Sequence, residues 1–160
     1  MFYRNWPLIA LISSLFAVSL TVAQDQAVDL ESVRDRVSHE YDVWNNVAHE
    51  YARCSVVYTM LANAAVAGEW KGTADNLSAT ADAAFRYALI TAKFGRTDEM
   101  ADKVIASYLT LEFDGMRRLI DNDNRNISVL IDEHGERCKW AVENLDAVYD
   151  YWDDELTSNK

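Results

Sequence analysis

Cys54, His134 and Cys138 are the residue types in this chain best suited to bind metal or to change covalent state. His134 and Cys138 stand four positions apart, so on a helix they share one face. Thiolate and imidazole suit zinc or copper, and Cys54 opposite them would supply a third ligand. A Cys54–Cys138 disulfide would consume two of the three, and no fourth ligand is evident. The expected chemistry is therefore the disulfide, with His134 a buried, hydrogen-bonded side chain and no metal held.

Aromatic residues and carboxylates gather near both ends of the chain's helical pattern. Tyr41 and Trp44 precede the first cysteine, while Tyr149 and Trp152 follow the second among Asp150, Asp153, Asp154 and Glu155. The expectation is that the four rings face one another and are rimmed by the acids. Such an end would grip a basic peptide or an amine through cation–π contact and electrostatic steering. The plain alternative is ordinary aromatic packing. The carboxylates themselves read as a solvated helix end.

Catalytic motifs are missing. The residues three before His39, His49 and His134 are Arg36, Asn46 and Ile131, so no Glu-x-x-His of the di-iron carboxylate type occurs. There is no Cys-x-x-Cys-His for covalent haem, no His-Glu-x-x-His and no phosphate-cradling Gly-rich loop. A Gly-x-Ser-x-Gly elbow is likewise absent. The pairs His39-Glu40 and His49-Glu50 catch the eye, but His39 and His49 fall off the apolar seam and read as solvated, and Met60 is also off it. No enzyme activity and no cofactor are expected.

Four helices must position these residues. Helix 1 covers about Ala27–Ala67, with Trp44, Val47, Tyr51, Cys54, Tyr58, Leu61 and Ala65 at alternating steps of three and four. Glu40 interrupts that seam, and Gly68 and Gly72 supply a stop. Helix 2 covers about Thr73–Phe94 and is rich in alanine, which favours helix and lets a neighbour approach closely. Gly95 closes it. Helix 3 runs from Asp98 to about Ile120, with Thr97 as N-cap and Gly115 inside it, marking a close contact or a bend. The Asp- and Asn-rich stretch 121–126 is a turn, although it holds neither Gly nor Pro. Helix 4 covers about Asn126–Leu156 through Ile127, Ile131, His134, Cys138, Ala141, Leu145, Val148 and Trp152.

Short connections make consecutive helices antiparallel, giving an all-α, up-down-up-down four-helix bundle with long first and last helices. Helix lengths test this arrangement. At 1.5 Å per residue Cys54 and Cys138 lie ~21 and ~18 Å from the end that helices 1 and 4 share, nearly one height. Helix 1 would be ~60 Å long against ~33 Å for helix 2, so its start, carrying Leu30, Val33 and Val37, would project and could pair with a second copy.

The chain has 160 residues and a net charge of −11, with 26 acidic against 15 basic residues. One domain is the natural expectation, and the acid excess argues against a nucleic-acid partner. Met1–Ala23 reads as a secretory signal: Arg4 gives a positive start, Leu8–Ala23 is uncharged, and Thr21 and Ala23 precede the cut. Residues 24–160 then form the mature domain with no membrane span, in a periplasmic or secreted, disulfide-permissive compartment. Its expected role is protein–protein contact in the cell envelope, with an unknown partner or as a homodimer through the ends of helices 1 and 4. A small-ligand or metal-binding bundle is the alternative.

Overall fold

The computed structural model describes residues 29–69 and 71–159, and the expected signal Met1–Ala23 lies outside them. The described residues are all α, with no strand among them. The chain divides into two compact units, Met1–Asp35 and Arg36–Lys160. The described part of the first is the opening of α1 (Leu30–Ala67). Asp29 caps it: its carboxylate accepts from the Glu31 N–H at 3.1 Å and its carbonyl from the Ser32 hydroxyl at 2.9 Å.

The second unit continues α1 and adds α2 (Lys71–Ala92) and α3 (Asp98–Leu119). These three agree with the sequence pattern to within a few residues at each end. Thr97 caps α3 by accepting from the Met100 N–H at 3.3 Å, with Asp98 and Glu99 in the first turn and Arg117 and Arg118 in the last. Both charge placements complement the helix dipole. The turns use residues other than glycine more than expected. After α1 the left-handed residue is Glu69 (φ 63°), not Gly68; after α3 it is Asp121 and Asn122 (φ 53° and 55°). Asp and Asn tolerate that region because their short side chains bond locally. Here the Asn122 N–H also closes the helix end on the Arg117 carbonyl at 2.7 Å.

The single fourth helix expected over Asn126–Leu156 is not formed. A 3₁₀ turn (Asn124–Asn126) leads into α4 (Ser128–Leu130), a π-helical stretch (Ile131–Gly135), α5 (Glu136–Glu143) and α6 (Leu145–Ser158). The break before α6 is Asn144, at φ −131° and ψ 59°. Its side-chain amide donates to the Trp140 carbonyl at 2.9 Å, and its backbone N–H reaches the same oxygen at 3.0 Å. Asn competes in this way for backbone partners and so ends helices. The wider π turn shifts the helical phase, so Leu130 is buried before it and the seam residue Ile131 is 50% exposed, while Cys138, Ala141 and Val148 after it stay buried. Leu145, just past the Asn144 break, is 38% exposed.

The core centres on α1. Between Val43 and Met60 its buried residues include Val43, Val47, Ala48, Tyr51, Ala52, Val56 and Val57, far more than one seven-residue seam. Helix α1 is thus covered on several sides, and Met60, expected off the seam, is buried with the rest. Around it α2 presents Ala84, Ala88 and Ala92, α3 presents Ala101, Ile105 and Met116, and the last segment presents Leu130, Ala141 and Val148. The small residues of α2 allow close backbone approach. No helix among the described residues is long and apolar enough to cross a membrane.

Candidate functional site

Helices α1, α2 and α6 leave an open pocket of about 470 Å³ beside the core. Its lining includes Trp44, Val47 and Tyr51 from α1, Tyr87 and Thr91 from α2, and Leu145 and Tyr149 from α6. Two carboxylates stand at it, Glu40 and Asp146. Trp44 is fixed by stacking on Phe94, with centroids 4.0 Å apart and planes within 7°, and it meets Tyr149 at 4.8 Å. Tyr51 and Tyr87 meet at 5.4 Å. Four aromatic side chains held by packing, with acids beside them, form the surroundings that an organic cation prefers.

The local field has the matching sign. Burial, the hydrogen bond to Glu40 and the charges of Glu40, Asp153 and Asp150 push the Tyr149 hydroxyl up to about 12. Tyr51 is raised further still, by burial first and then by Glu50, Tyr87 and Asp146. Both phenols therefore stay neutral, and Tyr149 donates to Glu40 Oε2 at 2.8 Å. A cation arriving here meets fixed carboxylates and uncharged rings.

Of the four aromatic residues expected to share this end, only Trp44 and Tyr149 line the pocket. Tyr41 is 41% exposed and lies beneath the Arg96 guanidinium, 4.4 Å from its ring centre. Arg96 is itself anchored to Asn45 Oδ1 at 2.5 Å, an oxygen that also accepts from the Tyr108 hydroxyl at 2.7 Å. Trp152 turns away to a different partner, the carboxylate of Glu50. Tyr51, Tyr87, Leu145 and Asp146 were not anticipated as site residues, nor was Glu40. Tyr87 and Thr91 lie one helical turn apart, as do Leu145 and Tyr149, so their shared faces were visible; which faces converge was not.

Among the described residues Glu50 is the one buried acid, 3% exposed. Its two oxygens accept from the Arg137 guanidinium, Nη2 at 2.8 Å and Nε closer still, and from the Trp152 indole N–H at 2.6 Å. Arg137 is held between the rings of Trp140 (4.3 Å) and Tyr151 (3.8 Å). Every part of this group has a partner, and it ties α1 to α5 and α6.

The histidines expected in solvent are partnered. His39 Nε2 lies 2.6 Å from Asp153 Oδ1, and His49 Nε2 lies 2.7 Å from Glu112 Oε1, its ring stacked on Tyr108 at 4.3 Å. Arg53 Nη2 reaches the same Glu112 oxygen at 3.1 Å. Burial alone would raise the Glu112 carboxyl, but the contacts and charges of His49 and Arg53 outweigh it and hold it low. His134 faces this cluster: burial and then Arg53 depress it, against the pull of Glu112 and Glu133.

Cys54 and Cys138 stand at disulfide distance, sulfurs 2.15 Å and Cα atoms 5.2 Å apart. The ligand set His134, Cys54 and Cys138 is therefore not presented as free thiolates. Among the described residues no group of three or more His, Cys, Asp or Glu could hold a metal ion. Compared with protein-family models, curated proteins and solved structures, the chain matches none.

Proposed function

We propose that this chain is an exported, non-enzymatic helical bundle that acts by protein–protein contact in the cell envelope, gripping a cationic side chain of its partner in the pocket between α1, α2 and α6. One observation carries the reading: four aromatic side chains and two carboxylates surround a single open pocket. Export is supported by the sequence of Met1–Ala23 and by a cysteine pair at disulfide distance, which suits an oxidising compartment.

The up-down-up-down bundle belongs to the same proposal, and side-chain pairings support it. Cys54 meets Cys138, Trp44 meets Tyr149 and His39 meets Asp153, so numbers fall along α1 as they rise along the last segment. Trp44 with Phe94 and Tyr51 with Tyr87 give the same sense for α2. Asn45 with Tyr108 and His49 with Glu112 rise together, the parallel sense that α3 requires.

The test is calorimetric titration of the mature chain with an arginine nonapeptide and a glutamate nonapeptide. The basic peptide is expected to bind, more weakly at high salt, and the acidic one not to. Glu40→Gln with Asp146→Asn is expected to weaken binding about tenfold or more, as is Trp44→Ala. No binding of the basic peptide, or binding indifferent to these changes, overturns the reading. Self-association is a second reading, favoured by Leu30 and Val37, which are 77% and 63% exposed. A clean monomer by light scattering removes it.

A further inference from the structure

The pocket does not end at α2. Tyr87 also lines a second concavity of about 430 Å³, on the outer side of that helix, with Ala79, Asp82, Ala83, Arg86 and Ile90. Ile90 is 57% exposed, and Phe94, one turn on, is 46% exposed while its ring stacks on Trp44. Ala83, Tyr87 and Ile90 follow one another at steps of four and three, so they share one stripe of α2, and Phe94 lies in the turn just beyond its end. An apolar stripe left in solvent beside an acid-rimmed aromatic pocket is a two-part surface. Asp82 and Arg86, one turn apart, offset each other's charge and leave this second part near neutral.

We propose that the partner is a peptide segment in which an apolar side chain accompanies the arginine or lysine. The cationic side chain enters the pocket between α1, α2 and α6, and the apolar one lies on the Ala83–Tyr87–Ile90 surface. The charge of the chain, −11 overall with Glu40 and Asp146 at the pocket, is complementary to the first part of that peptide. The exposed Ile90 and the shared Tyr87 are complementary to the second. This proposal rests on the cation-binding reading above and adds to it a requirement that a free amine cannot satisfy. Covering Ile90 adds on the order of tenfold in affinity, the worth of one buried aliphatic side chain that was only partly free.

The experiment compares three kinds of probe on the mature chain with its cysteine pair intact. They are butylguanidine, a glycine-flanked single-arginine peptide, and peptides carrying one leucine at one to four positions from the arginine. At least one leucine peptide is expected to bind about tenfold tighter than the glycine peptide. Ile90→Ser, a change at an exposed position, is expected to erase that gain while leaving the glycine peptide's affinity unchanged. If every leucine peptide binds no tighter than the glycine peptide, or the gain survives Ile90→Ser, the second part of the surface is refuted and the cationic pocket stands. If butylguanidine matches the best peptide, the ligand is a small amine and the peptide proposal fails. If no probe binds, the pocket reading falls with it.

Discussion

Removing the Glu50 carboxylate leaves the Arg137 guanidinium and the Trp152 indole N–H without their acceptor in a nearly dry place. Breaking a buried pair in this way costs about 3–5 kcal/mol. Arg137 keeps 35% of its side chain in solvent, so Glu50→Ala is expected near the lower end, read as a shift of the urea midpoint. Trp152→Phe keeps the ring and removes one donor, and its expected cost is smaller, about 1–2 kcal/mol. The same residue scale sets the pH dependence. His134 is depressed below its ordinary 6.5, so the unfolded chain binds the proton more readily. Stability from it is complete above pH 6.5 and is lost as pH falls through the depressed value. Glu112 is also depressed, from 4.5, and its contribution is lost at still lower pH. Denaturant midpoints measured from pH 8 to 3 are expected to fall in both windows, and His134→Gln to flatten the upper one. A rising midpoint between pH 6.5 and 5 would contradict the His134 assignment.

Two glycines separate what the helices need from what their ends need. A methyl group at Gly115, inside α3, would meet nothing within 4 Å, so the glycine is not there for a close contact. Gly115→Ala is expected to stabilise by about 0.5–1 kcal/mol through helix propensity alone. Gly95 sits at φ 72°, and a methyl there would come within 3.2 Å of Tyr41 Cδ2. Gly95→Ala is expected to cost about 1–2 kcal/mol from the backbone alone. Thermal unfolding of the two variants in parallel should move in opposite directions. Helices α1, α2 and α3 were legible because periodic apolar residues and the Thr97 cap act over a few positions. The last segment was not, because its periodicity continues across a π turn that shifts the phase and across Asn144, a residue common inside helices and at their ends. Glu50 was equally hidden: its burial depends on Arg137 and Trp152, which reach it from 87 and 102 residues away. The pairing of Trp44 with Tyr149 was readable from helix lengths, whereas Trp152 was diverted by that acid.

At the scale of the whole molecule, the cysteine pair is the longest-range covalent feature, with a sequence separation of 84. Bridged, it removes about 4–5 kcal/mol of chain entropy from the unfolded state on the loop-closure estimate. The mature protein is expected to weigh two hydrogens less than its fully reduced form, and reduction is expected to lower its unfolding free energy by up to that amount. An unchanged midpoint after verified reduction would show that strain or residual structure cancels the gain. The charge of −11 makes copies repel one another at low salt, which weighs against self-pairing.

All three turns that join α1 to α2, α2 to α3 and α3 to α4 fall between Cys54 and Cys138. Proteases cut most readily at such exposed turns. With the cysteines bridged, a single nick at any of the three leaves two fragments on one tether, and the core residues on each side remain at high local concentration. The chain should therefore run as one species on a non-reducing gel after limited digestion and fall into two only when thiol is added. The bridge would thus confer tolerance to chain cleavage as well as rigidity.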